Sequence, residues 1–232
     1  MDLLKLIKSE FEGFGKTERV VFPLILLLTV LVSFYTNDSK IALISALCGM
    51  SYTILAGKGR ISCYFIGILG TLCYSYIAYI NTFYGNLLLY ALYYLPMEVI
   101  GIFKWKKHLK PDKREIIKTK LSEKEKIIYF SLAFTGWIIL LKVLMYLGDK
   151  MPYMDSFATV FSVLGLFLTV KRCIEQWYIW FFVNVVTCIM WILAYVYRGS
   201  NCLATVIMWA VYTVLAVYFL IEWKKDLKNN NL

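Results

Sequence analysis

Two tryptophans and an asparagine recur at helical spacing in one apolar stretch of the chain, EQWYIWFFVNVV (residues 175–186). Trp177, Trp180 and Asn184 stand at positions i, i+3 and i+7, so a helix presents all three on one face. An amide in hydrocarbon costs free energy unless it finds hydrogen-bond partners. Indole faces attract cations, and an amide can pair with a carboxamide or a hydroxyl. The pattern favours a flat, electron-poor or cationic ring as the ligand, although tryptophans near a span end also form interfacial belts.

A second polar group stands in another apolar stretch, LPMEVIGIFKW (residues 95–105). Glu98, Gly101 and Trp105 repeat the same i, i+3, i+7 spacing and share one helix face. Pro96 lacks a backbone donor and predicts a bend in this helix, and bent helices are tolerated in membranes where they line a cavity. The alternative for Glu98 is a carboxylate near the headgroups that pairs with a neighbouring lysine.

Composition indicates that both motifs lie in a membrane. Of the 232 residues 60% are hydrophobic, and the mean hydropathy is +0.66. Long stretches carry no Asp, Glu, Lys or Arg, and about 20 apolar residues suffice for a helix to cross a bilayer. We therefore predict an all-α integral membrane protein with about eight spans, at residues 20–35, 41–57, 61–80, 84–105, 127–148, 156–171, 176–197 and 201–223. Residues 2–14 are predicted to form an amphipathic helix on the inner leaflet.

The positive charge is distributed unevenly between the predicted loops. The chain has 25 Lys and Arg residues and a net charge of +10. With eight spans, 21 of them fall in the loops on the side of the N-terminus, 3 fall in the opposite loops, and Lys142 lies within a span. Positive residues remain in cytoplasmic loops, so both termini are predicted to be cytoplasmic. This explanation of the charge makes nucleic acid an unnecessary partner.

Similar sequences recur in the two halves of the chain. The fourth span ends in FKWKKH and the eighth in IEWKKD, while GKGRISCYF precedes the third span and VKRCIEQWY precedes the seventh. Spans two to four thus resemble spans six to eight, and an odd connector gives the two triplets the same orientation. Parallel repeats of this kind bind substrate near the midplane between the repeats. We predict four segments: 1–38 with an amphipathic segment and an extra span, 39–108 as the first repeat, 109–150 as a basic loop and linker helix, and 151–228 as the second repeat.

Several function classes lack the residues that they need. The chain has one His and no motif for phosphate binding, zinc hydrolysis or Ser/His/Asp catalysis. Few ionisable groups lie in the spans, which argues against a strongly ion-coupled pump. We therefore predict no enzyme activity, no metal and no cofactor, which leaves carriers, channels and interaction proteins.

The motifs resemble those of one known family. The WxxWxxxN pattern at 177–184 looks like the signature of the PnuC-type bacterial vitamin transporters, which include nicotinamide riboside carriers and their thiamine and riboflavin relatives. LPMEVIGIFKWKKH resembles the family's QxxGxxxW motif with its following basic residues, and the resemblance extends over residues 40–228. It implies a SWEET-like 3+1+3 fold in the bacterial inner membrane. It also implies facilitated diffusion with phosphorylation as an intracellular trap, and a homo-oligomer such as a trimer.

The resemblance assigns roles to particular residues. Trp177 and Trp180 would wall the pyridinium ring, Asn184 would hydrogen-bond the carboxamide or ribose, and Glu98 would bond the ribose or face the positive charge. Glu98 stands where the family usually has Gln, which leaves nicotinamide riboside and thiamine open and makes neutral riboflavin less attractive. The further residues expected to line the site are Thr159, Trp209 and Tyr212. A non-transporting membrane scaffold or sensor is the alternative from another class.

Overall fold

The computed structural model describes residues 12, 14–37, 39–80, 84–111, 115–198 and 203–229, and the chain divides into two compact units, Met1–Ile117 and Lys118–Leu232. Eight of its helical segments are long and apolar enough to cross a membrane. This confirms the predicted all-α architecture with eight spans. The amphipathic helix expected at residues 2–14 lies almost wholly outside the described residues.

The first unit contains four of the eight spans. Its helices are α1 (Glu18–Tyr35), α2 (Lys40–Gly57), α3 (Ser62–Ile80), the short α4 (Tyr84–Leu89) and α5 (Leu95–Lys106). Helix α1 packs on α2, α2 on α3, and α3 on α5. Each span therefore contacts the span that precedes it in the chain, as expected for short connections.

The fourth span is interrupted by one wide helical turn. Residues Tyr90–Tyr94 form a π-helix between α4 and α5, and the Leu95 N–H donates to the carbonyl of Tyr90, five residues earlier. Pro96 follows at the start of α5, where it has no N–H to donate and its ring would clash with a carbonyl one turn earlier. The wide turn accommodates the proline, so a π-turn lies where the sequence predicts a bend.

The second unit contains the other four spans. They are α6 (Glu123–Tyr146), α7 (Pro152–Val170), α8 (Glu175–Arg198) and α9 (Leu203–Asn229), and each packs on the next. Ser122 and Glu125 form a capping box at the start of α6, in which each side chain accepts the other residue's backbone N–H. This reciprocal pair fixes where the helix begins.

The turns before α3 and α8 have the same hydrogen-bond pattern, which supports the predicted internal repeat. In the first turn Gly59 (φ +68°) donates to the carbonyl three residues earlier, and Arg60 donates to the carbonyl five residues earlier. Arg172 (φ +64°) and Cys173 make the same two bonds in the second turn. Both turns thus end a helix with a residue in the left-handed conformation, the usual way to satisfy the last carbonyls.

The repeat extends to the helix that precedes each triplet. At the start of α1, Glu18 accepts the Gly15 N–H at 2.6 Å and pairs with Lys58 at 2.6 Å. At the start of α6, Glu125 accepts the N–H of its own cap residue at 2.9 Å and pairs with Lys171 at 2.6 Å. The "extra" span and the "linker" helix therefore make equivalent contacts in their own units. Each unit is a lead helix followed by three helices, whereas the finer segment boundaries remain a prediction.

Candidate functional site

Trp177, the first residue of the WxxWxxxN motif, lies in the second unit and faces α9. Its side chain is 2% exposed. The indole packs tilted against Phe219 with a centroid distance of 5.3 Å, and Trp223 meets it edge-on at 5.8 Å. The indole Nε1–H is buried and has no hydrogen-bond partner among the described residues. A buried donor without an acceptor costs free energy, so an acceptor on a ligand or a water molecule would stabilise this position.

Trp180 turns toward the other neighbouring helix, α7. Its Nε1–H donates to the Thr169 hydroxyl at 3.2 Å, and that hydroxyl donates to the Gly165 carbonyl at 2.9 Å. A Cβ at Gly165 would lie 3.0 Å from the indole, so a larger residue there would push α7 and the ring apart by a few tenths of an ångström. The indole is half-buried and its position is fixed at both its edge and its face. The two tryptophans therefore share a helix face but pack against different helices.

Asn184 lies one turn deeper on the same face of α8. Its side chain is 5% exposed, and no hydrogen bond joins it to a residue within the described ranges. Val183 beside it is fully packed into the apolar core of this unit. A nearly buried amide with spare donors and an acceptor is suited to bind a hydroxyl or a carboxamide.

The weaker candidates lie on the two helices that flank α8. Thr159 is half-buried on α7. Trp209 and Tyr212 are half-buried on α9, with ring centroids 5.6 Å apart. Their contact with each other is ordinary aromatic packing, so their role as lining residues remains a prediction.

Glu98 belongs to the first unit, where it is 3% exposed on α5. Its Oε1 accepts a hydrogen bond from the Thr71 hydroxyl at 3.0 Å, and its Oε2 has no partner among the described residues. The Tyr52 hydroxyl is likewise buried without a described partner. Gly67 lies between the two groups, because a Cβ there would be 2.7 Å from both Glu98 Oε1 and the Tyr52 ring. Glu98 is therefore not paired with a lysine in the described part of the chain, so the alternative for this residue is wrong.

Three further residues of the first unit are not among those predicted from the sequence, although the repeat itself indicates them. Tyr64, Gly67 and Thr71 on α3 stand 113 residues before the two motif tryptophans and the asparagine, in the same i, i+3, i+7 spacing. Tyr64 meets Trp105 edge-on at 4.9 Å, as the first motif tryptophan meets the tryptophan of the IEWKKD segment. The segments GKGRISCYF and VKRCIEQWY are also 113 residues apart, so the sequence alone indicates which residues correspond. The first unit thus has its own version of the motif face, with Thr71 in the position of the asparagine.

Bulky and small residues are exchanged between the two versions. In the first unit the ring is Tyr52 on α2, and it fills the space left by Gly67 on α3. In the second unit the ring is Trp180 on α8, and it fills the space left by Gly165 on α7. Tyr52 and Gly165 are 113 residues apart in the sequence, and so are Gly67 and Trp180. The two pairs therefore occupy equivalent positions, but the ring lies on the first helix of the pair in one unit and on the second helix in the other.

Each unit by itself carries polar groups of the kind that can bind a small polar ring compound. The second unit offers indoles and an amide, and the first offers a buried carboxylate oxygen and a phenol. Among the residues that the structure describes, no three His, Cys, Asp or Glu side chains lie close enough together to hold a metal ion.

Comparison with known proteins identifies the family. The family model for nicotinamide mononucleotide transporters matches residues 39–225. The nicotinamide riboside transporter PnuC of Neisseria mucosa is 28% identical over 95% of this chain and 86% of its own length. PnuC of Haemophilus influenzae is 26% identical over the full length of both. A crystal structure of the vitamin B3 transporter PnuC superposes with a TM-score of 0.83 at 27% identity, over 99% of each chain. Since the family model covers most of the sequence, the chain belongs to the nicotinamide mononucleotide transporter family.

Proposed function

We propose that this chain is a carrier for nicotinamide riboside that works by facilitated diffusion across the bacterial cytoplasmic membrane. The single observation that carries the proposal is the face of α8. There an almost buried amide, Asn184, and a buried indole N–H, Trp177, both lack partners among the described residues. Nicotinamide riboside brings a flat cationic ring, a carboxamide and ribose hydroxyls. Each of these groups matches one that this face offers.

Charge favours the riboside over its phosphorylated form. A phosphate carries about two negative charges at neutral pH and is normally met by Arg, Lys or backbone donors. Lys142 is the basic residue that the sequence places inside a span, and its side chain is exposed. Glu98, which is buried in a span of the first unit, is a carboxyl group and offers no positive charge to a phosphate. We therefore assign the riboside, although the family's name mentions the mononucleotide.

The cellular setting follows from the same reasoning. The excess of basic residues in the N-terminal-side loops supports cytoplasmic termini. The family resemblance supports insertion in the inner membrane, trapping of the vitamin by intracellular phosphorylation, and a homo-oligomer such as a trimer. Crosslinking of the purified protein in lipid nanodiscs would give the number of subunits.

Uptake into proteoliposomes tests the function directly. Radiolabelled nicotinamide riboside should enter vesicles that contain the protein when no ion gradient is imposed. Trp177→Ala and Asn184→Ala should each lower the affinity about tenfold, since one cation–π or polar contact contributes about 1–2 kcal/mol. Trp191→Ala is the matched control, because this tryptophan lies on the same helix with 37% of its side chain exposed. Unaltered binding in both motif variants would remove the proposed site.

Competition separates the alternatives. Unlabelled nicotinamide riboside should displace the label, whereas the mononucleotide and thiamine should compete more weakly. Stronger displacement by thiamine would transfer the assignment to the thiamine carriers of the same scaffold. If no vitamin binds and Asn184→Ala has no effect, the chain is a scaffold or sensor and the proposal is wrong.

A further inference from the structure

The loop segment 118–121, which precedes α6, is fixed against the start of α8. Thr119 donates its backbone N–H to the Arg172 carbonyl at 2.9 Å and accepts the Ile174 N–H at 2.9 Å, which forms a short parallel bridge. The Leu121 N–H donates to the carboxylate of the first residue of α8 at 3.1 and 3.2 Å. The segment is therefore fixed to the end of α8 that carries the first motif tryptophan, and both lie in the second unit.

Lys118, the first residue of this segment, reaches the last two turns of α9. Its side chain is 4% exposed and pairs with the carboxylate of Asp226, which is 34% exposed. Its Nζ also lies over the Trp223 ring, 5.0 Å from the centroid. An ammonium group that is removed from water costs free energy unless an anion or a ring face compensates for it, and Lys118 has both.

Trp223 connects this lysine to the WxxWxxxN motif. The Trp223 ring is fully buried and meets the Trp177 indole edge-on, with 5.8 Å between the centroids and an interplanar angle of 77°. Phe219, one turn earlier on α9, packs against the same indole at 5.3 Å. The Trp177 indole is thus held by two rings of α9, and one of these rings is in contact with the Lys118 ammonium group.

The contacts of Lys118 restrict geometry more than they add stability. A buried ion pair contributes little net stability, because the free energy of removing both charges from water offsets their attraction. The ammonium group is nevertheless confined between the Asp226 carboxylate and the face of the Trp223 ring, which limits where that ring can lie. A binding site needs side chains that their neighbours hold within about 0.5 Å of the productive geometry.

We infer that Lys118 is a positioning residue for the vitamin site: its ammonium group holds the Trp223 ring, and this ring holds Trp177 in the orientation that binds the ligand. The inference rests on the proposed function, since it takes Trp177 as a wall of that site. Lys118 acts only through the two indoles and needs no contact with the ligand. A residue of the loop between α5 and α6 therefore determines the affinity of a site on α8.

Calorimetric titration of nicotinamide riboside into the purified full chain in detergent tests the inference. Lys118→Met removes the charge and keeps an unbranched apolar side chain. The variant should fold, because the partly exposed carboxylate of Asp226 remains solvated. Its Kd should be about three- to tenfold weaker, as expected for the loss of one cation–π contact, with an unchanged number of binding sites.

A rescue variant and a matched control accompany this measurement. Lys118→Arg should bind like the unaltered protein, because a guanidinium also stacks on aromatic rings and pairs with carboxylates. Lys224→Met removes another cation–π contact at the same end of α9, where the exposed Lys224 lies 5.1 Å from the centroid of the Tyr178 ring. This control should leave the Kd unchanged, since neither residue of that contact touches the Trp177 indole.

A double variant shows whether Lys118 acts through the motif. When Trp177 is already alanine, Lys118→Met should change the Kd by less than about twofold, because the indole that the lysine positions is absent. The near-ultraviolet circular dichroism of the edge-on indole pair should change in Lys118→Met and return in Lys118→Arg.

The outcomes distinguish this inference from the function on which it rests. An unchanged Kd in Lys118→Met, with or without a lower unfolding temperature, overturns the inference and leaves the carrier function intact. Tighter binding also overturns it, because the lysine would then only repel the cationic ligand. An equal loss of affinity with and without the Trp177 indole overturns it as well. Failure of the unaltered protein to bind overturns both. If Lys118→Met does not fold, Lys118→Gln, whose amide can donate to Asp226 without a charge, is judged by the same criteria.

Discussion

Replacement of Gly101 by alanine should destabilise the first unit, because the Tyr64 ring already fills the space that the new methyl group would need. A Cβ at this position would lie 2.3 Å from Tyr64 Cζ and 2.4 Å from its Cε1, against 3.4–4 Å for ordinary contact. The ring cannot move aside easily, since it is fully buried and meets Trp105 edge-on at 4.9 Å. Overpacking of a filled core costs about 1–3 kcal/mol, and an overlap above 1 Å places Gly101→Ala near the upper value.

Thermal unfolding in detergent measures the effect. A loss of about 3 kcal/mol corresponds to a midpoint lower by roughly 6–12 °C for a chain of this length. Gly136→Ala is the matched control in another span, because a Cβ there would lie an ordinary 3.6 Å from Val160. That variant should be unchanged or slightly more stable, since alanine favours a helix over glycine by about 1 kcal/mol.

A double variant identifies the cause of the loss. Tyr64→Leu removes the ring that Gly101→Ala would strike, so the combined loss should be smaller than the sum of the single losses by about 1 kcal/mol or more. Additive losses, or a Gly101→Ala variant as stable as the unaltered protein, would refute the steric reasoning.

Two further predictions concern the ion pairs at the start of α1 and α6 and the hydrogen bond of the Trp180 indole. Lys58→Met should destabilise the protein by about 3 kcal/mol, because Glu18 is 7% exposed and its charge is poorly solvated once the pair is broken. Lys171→Met should destabilise it by only about 1 kcal/mol, because Glu125 is 37% exposed and remains solvated. Denaturation of both variants at the same salt concentration checks the ranking, and equal losses would contradict it. Thr169→Val removes the hydroxyl that accepts the Trp180 Nε1–H at 3.2 Å. This change should weaken nicotinamide riboside binding a few-fold and shift the tryptophan emission. An unchanged Kd and an unchanged spectrum would show that this hydrogen bond does not orient the indole.

The sequence predicts the spans and the family well because both depend on local patterns. Uncharged stretches of the right length locate eight spans, and the WxxWxxxN pattern locates the family; membership of a transporter family confirms that the chain is not an enzyme. Helical spacing alone places Trp177 and Trp180 on one face. It cannot tell which helix each ring meets, because that depends on the glycine at 165 and the aromatic side chains of α9.

Other features need the structure because their sequence signal is weak. Pro96 predicts a distortion, but whether the backbone kinks or widens into a π-turn depends on the packing around it. The equivalence of α1 and α6 rests on two glutamates that cap and pair in the same way, while most other positions of the two helices differ. Such a resemblance is visible only when the lysines that they meet are known.

The exchange of ring and glycine between neighbouring helices limits how this protein can change. A lone substitution at Tyr52 or Gly67 opens a void or forces an overlap, and the same holds for Gly165 and Trp180. Variants that keep the packing should therefore change both residues of a pair together, either Tyr52 with Gly67 or Gly165 with Trp180. Among related sequences, the large and the small residue of each pair should therefore change together.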